Sequence, residues 1–306
     1  MSTGLISIFT LPHEIDALHL ILYNLRRNGV YLSPESKMGL DITLCLSDYM
    51  TDWDKSLLPK EYFSDKFSQI IDTLCVWSDW INIENVNIEY GTDILGCVSQ
   101  RRHSLKYLDK YDFTMWLDTD LFFGDKLLAY MASSVDALLA SGIDHYIITP
   151  QVTRQWDASW DPIVNEHLIH HEINHTDTTA DIFELGLSDF GEIELEPLNT
   201  FKAAGGWATV ISNKLLKITG IPDSFGHYGM EDTYVLNCSS HLSLHSKTIR
   251  PKQFVLKNFV MGENRKQHAT EYLKKCVASI DRKNEFRIIA NQNFSNELKK
   301  FCDQNL

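Results

Sequence analysis

The chain has 306 residues, a formal net charge of −13, 44% hydrophobic and 23% charged side chains. This is the balance of a chain able to bury a large core, and it excludes wholesale disorder. The acidic excess also argues against a protein that grips long polyanions, whose surfaces are basic.

Met1-Ser2-Thr3-Gly4 lacks the basic start of a signal peptide and runs directly into an apolar strand, Leu5–Thr10, that ends at Leu11-Pro12. From Glu14 the period changes to helical, with Ile15, Leu18, Leu22 and Leu25 on one face and Arg26-Arg27 before Gly29. Asp41–Leu46 reads as the second strand, with Ser47-Asp48 at its C-terminal edge. Residues 51–80 give a mixed signal. Val86–Tyr90 reads as a third strand, and about Ile94–Leu108 as a helix. Phe113–Leu117 is the next strand, then Lys126–Ala140 a helix, then Tyr146–Thr149 a strand stopped by Pro150. Residues 151–200 are rich in His, Asp and Trp, lack periodicity, and read as an insertion or lid.

The α/β style returns at Trp207–Ser212 and Lys214–Thr219, followed by a helix from about Glu231 and strand-like segments at Thr248-Ile249 and Phe254–Leu256. From Lys266 the chain is polar and mostly helical. Strands alternating with helices predict an α/β sheet, with functional residues at the C-terminal strand ends. The six cysteines are scattered without a CxxC pair, and are read as free thiols of a reducing compartment. No run approaches the ~18 apolar residues of a membrane span, so a soluble, cytoplasmic protein is expected.

Three clusters can carry chemistry. Asp118-Thr119-Asp120 ends an apolar run and precedes Leu121-Phe122-Phe123, so its carboxylates are set between buried segments and need partners. Two carboxylates two residues apart can converge on one hard cation such as Mn²⁺ or Mg²⁺. Phe225–Asp232 delivers Glu231 and Asp232 to a helix start, where the dipole keeps carboxylates ionised as a general base requires; it also fits a plain helix N-terminus. Gly205-Gly206-Trp207 allows close backbone approach with an aromatic face beside it, or is a tight turn with a core Trp. Arg101-Arg102 and the stretch 247–275 concentrate positive charge, on a scale suited to a small anion.

In this order the clusters resemble glycosyltransferases of the GT-A fold, most nearly the family-2-like and beta-1,4-galactosyltransferase-like groups, which implies an α/β fold with a mixed Rossmann-like sheet flanked by helices. The resemblance spans roughly residues 5–265. It implies a sugar moved from a nucleotide diphospho-sugar, with a UDP-sugar favoured, to an acceptor hydroxyl with inversion, by a hexosyl- or pentosyltransferase. Thr10, Pro12 and Glu14 are similar to the loop that cups the nucleotide, and Asp48 to the Asp that reads the base. Arg102 resembles the Arg of the family's Arg-Asn pair, with His103 in place of the Asn. Asp118 and Asp120 are similar to the metal motif, Gly205-Gly206-Trp207 to the glycine-rich acceptor segment, and Gly229–Asp232 to the turn supplying the base. The resemblance then makes Asp232 the base and Glu231 its orienting partner, with Tyr228 and Trp207 facing the acceptor. His268 is the first candidate for the downstream metal ligand and His245 the second, while Arg265 suits a diphosphate contact. Met230 departs from the family by replacing a glycine.

The implied organisation is one catalytic domain over 1–265 (nucleotide-binding half 1–150, insertion 151–200, acceptor half 201–265) and a helical tail over 266–306. The acceptor is a glycan, a protein, a lipid-linked sugar or a modified DNA base, and Trp156 and Trp160 offer a saccharide platform with Trp207. A competing motif, His171-Glu172-Ile173-Asn174-His175, has the zinc-peptidase H-E-x-x-H spacing. A non-catalytic nucleotide or sugar binder on the same fold is the third reading.

Overall fold

A computed structural model describes residues 2–47, 60–75, 81–91, 96–119, 121–155, 163–164, 192–202, 208–264 and 277–306. Thr3–Thr10 (β1) is buried along nearly its whole length, on both faces, as a strand covered by helices must be. Lys37–Ser47 (β2) and Ile81–Gly91 (β3) pair parallel beside it, and Phe113–Asp118 (β4) pairs parallel on its other side. Leu121–Phe123 (β5), Tyr146–Gln155 (β6), Ile163–Val164 (β7), Glu194–Pro197 (β8), Ala208–Ser212 (β9) and Lys252–Asn264 (β10) complete the strands among the described residues. They join one mixed sheet of order β3-β2-β1-β4-β9-β6-β10-β5, with β7 on β6 and β8 on β10. β9 is antiparallel to both neighbours, which makes the sheet mixed.

The helices are Ile15–Gly29 (α1), Lys60–Cys75 (α2), Cys97–Ser104 (α3), Leu127–Ala140 (α4), Asn213–Thr219 (α5), Glu231–His245 (α6) and Val277–Asn305 (α7). Ile15, Leu18, Leu22 and Leu25 of α1 are all buried, as their spacing predicts. Ser212 caps α5 by accepting a hydrogen bond from Leu215 N at 3.3 Å. Thus the expected mixed sheet flanked by helices is the observed architecture. Among the described residues no helix is long and apolar enough to cross a membrane.

The departures are local. α2 occupies part of the segment with no clear sequence signal. β3 begins earlier than expected because its Ile-Asn-Ile and Val-Asn-Ile alternation is that of a half-exposed edge strand. β6 runs through Pro150 instead of stopping there. β9 pairs with β6 only at Ile147 and Ile148, and the β10 register shifts between Leu256 and Val260 just beyond the proline's partner. A missing N–H is tolerated at such an irregularity. Thr248-Ile249 stays outside β10, which starts at Lys252.

Candidate functional site

The strand order reverses direction between β1 and β4, which opens a crevice at their C-terminal ends. Phe9 is paired with Asp118, so the loop after β1 and the Asp118-Thr119 loop are neighbours. Glu14, buried at the end of the Pro12–Glu14 turn, ties them together. Its Oε2 accepts from Leu11 N at 3.0 Å and from Thr119 Oγ1 at 3.1 Å. Glu14 is thereby a brace of the loop, and Pro12 starts the turn at the position where a missing N–H costs nothing. Thr10 is fully buried, and its hydroxyl has no hydrogen-bond partner among the described residues.

α3 lies across this crevice. Gln100 Nε2 donates to Ser7 Oγ and to Asp41 O, both at 3.4 Å, while His103 Nδ1 lies 3.2 Å from the buried Asp41 carboxylate. Asn85 Nδ2 donates to the other Asp41 oxygen at 2.8 Å. These contacts fix the helix over β1 and β2, and so fix the direction of the two arginines that follow one another on it. Successive helical residues point about 100° apart. Arg101 turns inward and Arg102 does not.

The Arg101 guanidinium packs over the Trp116 ring at 5.0 Å and forms ion pairs with Asp118, at 3.1 Å, and with Glu231. The side chains of Arg101 and Glu231 are 8% and 2% exposed, against 34% for Asp118. Burial works against the Arg101 charge, but Glu231 and Asp118 beside it hold it protonated. Burial pushes the Glu231 carboxyl up, Arg101 pulls it down, and the adjacent Asp232 charge reinforces the rise. Cys97 Sγ lies 3.5 Å from Glu231 Oε1, and burial raises that thiol well above its ordinary range. Glu231 Oε2 is buried without a hydrogen-bond partner among the described residues.

Arg102, the arginine singled out by spacing, is not brought to Asp118. Its Nη2 donates to Pro222 O at 2.7 Å and to Gly226 O at 3.4 Å, and its Nε lies 3.1 Å from Asp223 Oδ1. It clamps the segment that leads into the acidic turn. That turn is also held by the start of α3, where Ser99 Oγ meets His227 Nδ1 at 2.7 Å. A Cβ on Gly96 would stand 2.0 Å from the His227 carbonyl oxygen, so only glycine permits this approach. The turn ends in left-handed backbone at Gly229 (φ 94°) and at Met230 (φ 72°), the N-cap of α6. Asp232, half-buried, accepts on Oδ1 from Thr233 N at 2.6 Å and from Thr233 Oγ1 at 3.2 Å.

The structure therefore brings together Thr10, Pro12, Glu14 and Asp118 on one side, and Tyr228, Glu231 and Asp232 on the other, with Arg101 between. Asp48, Asp120, Gly205, Gly206, Trp207, Arg265, His268 and the His171–His175 motif lie outside the described residues, as do Trp156 and Trp160. His245 sits at the far end of α6 from Glu231, roughly 20 Å along the axis, and is not brought to Asp118. Among the described residues no group of three or more His, Cys, Asp or Glu side chains is arranged to hold a metal ion. Of the expected ligand set, only Asp118 belongs to the described part of the crevice.

No protein-family model and no curated protein matches the sequence. Among solved structures the chain is similar to GalNAc-T7 with UDP, GalNAc and Mn²⁺, at 11% identity and a TM-score of 0.48 over 99% of this chain. This chain spans 56% of the length of that one. It is similar to S. aureus TarS 1-349 in complex with UDP-GlcNAc, at 14% identity and a TM-score of 0.46, over 100% of this chain and 74% of the other. It is also similar to HddC from Yersinia pseudotuberculosis, at 13% identity and a TM-score of 0.37, over 90% and 98% of the two chains.

Proposed function

We propose that this chain is a GT-A glycosyltransferase that moves a sugar from a nucleotide diphospho-sugar to an acceptor hydroxyl with inversion. The observation that carries the reading is the Arg101 bridge. One guanidinium joins Asp118, at the end of a strand beside the sheet's reversal point, to Glu231 at the start of a helix. A site for diphosphate displacement needs these parts: carboxylates for a cation at the leaving group, an acid pair at the acceptor, and a fixed positive charge near both.

In this reading the Thr10–Glu14 loop and Asp48 bind the nucleoside, with Glu14 holding the loop in shape. Asp118 and Asp120 would hold Mn²⁺ or Mg²⁺, which when bound would supply charge neutralisation of the diphosphate. The described half of that donor set fits a hard cation, since Asp118 offers a partly exposed carboxylate oxygen set. Arg101 keeps Asp118 and Glu231 in register. Asp232 takes the proton of the acceptor hydroxyl while its oxygen attacks the anomeric carbon and the diphosphate oxygen departs on the opposite side. Glu231 orients the attacking hydroxyl. The domain boundaries at 1–265 and 266–306 are part of the same proposal.

The test is a thermal-shift screen of UDP-, GDP- and CMP-sugars with and without Mn²⁺, followed by NMR of the product anomer. A metal-dependent rise in melting temperature with one nucleotide class is expected, and an inverted anomer. A shift with Zn²⁺ alone and with no nucleotide would replace this reading by the peptidase one.

A further inference from the structure

The C-terminal helix is expected from sequence to be a tail, yet α7 returns to the crevice. Its C-terminal half is anchored on α6 and the Asp223–Phe225 turn. Phe294 stacks on Phe225 with ring centroids 6.3 Å apart, and it meets Tyr234 edge-on at the same distance, as does Phe301. Asn293 Nδ2 donates to Ser224 O at 2.9 Å. So anchored, the helix carries Phe286 to the C-terminal edge of the sheet.

Phe286, 6% exposed, forms a small apolar cluster with Leu11 and Cys45, apart from the main core, and Phe9 and Tyr228 pack against it. Leu11 belongs to the loop after β1 and Cys45 lies near the end of β2. The same ring also touches the acidic turn: it meets His227 edge-on at 5.3 Å, and the Cβ position of Gly226 is 3.4 Å from it. Arg287 lies equally close over Gly229, 3.5 Å from its Cβ position. A single ring thus touches both walls of the crevice, from an element remote from either in sequence. Burying such a ring removes apolar surface from water and so favours the arrangement in which the glycine-containing turn is closed against it.

We propose that Phe286 is a positioning residue of the transfer site, holding the Gly226–Met230 turn, and with it Glu231 and Asp232, in register with the loop after β1. The inference rests on the glycosyltransferase reading for its kinetic consequence but not for its structural one. The experiment therefore has two arms on the full chain. In the first, amide hydrogen exchange is followed without substrate in the wild type, Phe286→Ala and Phe286→Leu. Exchange of the 226–232 amides rises at least tenfold in Phe286→Ala and is largely restored in Phe286→Leu, while the β4 and β9 amides stay protected. In the second arm UDP release from UDP-GlcNAc and UDP-GalNAc is measured with Mn²⁺. Misplacement of the acid pair lowers kcat by 10-fold to 100-fold in Phe286→Ala with donor KM within threefold, and Phe286→Leu recovers most of it.

Unchanged exchange over 226–232, or a raised donor KM with unaltered kcat, overturns the proposal; the latter would make Phe286 a wall of the nucleotide pocket. If the wild type neither binds nor turns over a nucleotide-sugar while the exchange pattern appears as stated, the glycosyltransferase reading fails and the positioning of the turn stands. Should Phe286→Ala not fold, Phe286→Leu carries both arms, with exchange and kcat displaced in the same directions by about threefold, and no displacement overturns the proposal.

Discussion

Replacing Arg101 by methionine tests the bridge most directly, because the new side chain keeps much of the packing volume over Trp116 and removes the charge together with its hydrogen bonds to Asp118 and Glu231. Its two ion pairs are not equal. Asp118 is one-third exposed, so its share is within the range of about 0–1 kcal/mol found for solvated pairs. Glu231 is 2% exposed, and removing the partner of a buried ion costs about 3–5 kcal/mol. The Glu231 term decides the outcome. The buried carboxyl already titrates above its ordinary 4.5, and losing Arg101 raises it further. A carboxyl raised on folding favours the native state below its unfolded value and loses that contribution as pH climbs through its folded value. The variant is therefore destabilised most at pH 7, and the deficit shrinks as pH falls toward 4.5. Urea denaturation at pH 7 and pH 5 measures both. Adding Glu231→Gln should recover about 1–3 kcal/mol of the loss, since a neutral amide no longer needs the cation. A Arg101→Met protein within about 1 kcal/mol of wild type at pH 7, or one whose deficit ignores pH, would refute the bridge as the organising contact of the site.

Asp232→Asn, which keeps shape and removes the proposed base, should lower turnover about 100-fold to 10,000-fold with little change in melting temperature; near-normal turnover would remove Asp232 from that role. Gly96→Ala forces a methyl group onto the His227 carbonyl and should destabilise by about 1–3 kcal/mol, read by denaturant unfolding, while also lowering turnover by displacing the acidic turn.

Much of the layout was legible because it rests on periodicity. The α1 face, the apolar β1 and β4 runs and the start of α6 at Glu231 all come from local patterns that tertiary structure left intact. Side-chain direction was not legible in the same way. Arg101 and Arg102 are equivalent as letters; the contacts of Gln100 and His103 with β1 and β2, made by residues far away in sequence, decide which one faces Asp118. The same holds for Glu14, whose carboxylate braces a loop instead of pointing outward, and for Phe286, whose partners Leu11 and Cys45 lie more than two hundred positions upstream. A signal did exist for Gly96: a glycine before a helix, close in sequence to paired arginines, marks a backbone approach, although not what approaches. Pro150 misled because a strand boundary was inferred from a missing donor, while the β6–β9 pairing is made at Ile147 and Ile148, ahead of the proline.

The bridge also has a meaning for how the molecule comes into being. Leu11, Arg101, Asp118, Glu231 and Phe286 meet at one crevice from across the chain, so nearly every contact in it closes a long loop. A ribosome delivers the Arg101 charge well before the Glu231 charge that buries with it, and the ring that holds the turn last of all. Until then the sheet's β1–β4 half can pair while its crevice stays unassembled. The same guanidinium that joins the two walls is in this sense a register of progress, satisfied only once Glu231, 130 residues downstream, has been made and folded onto it.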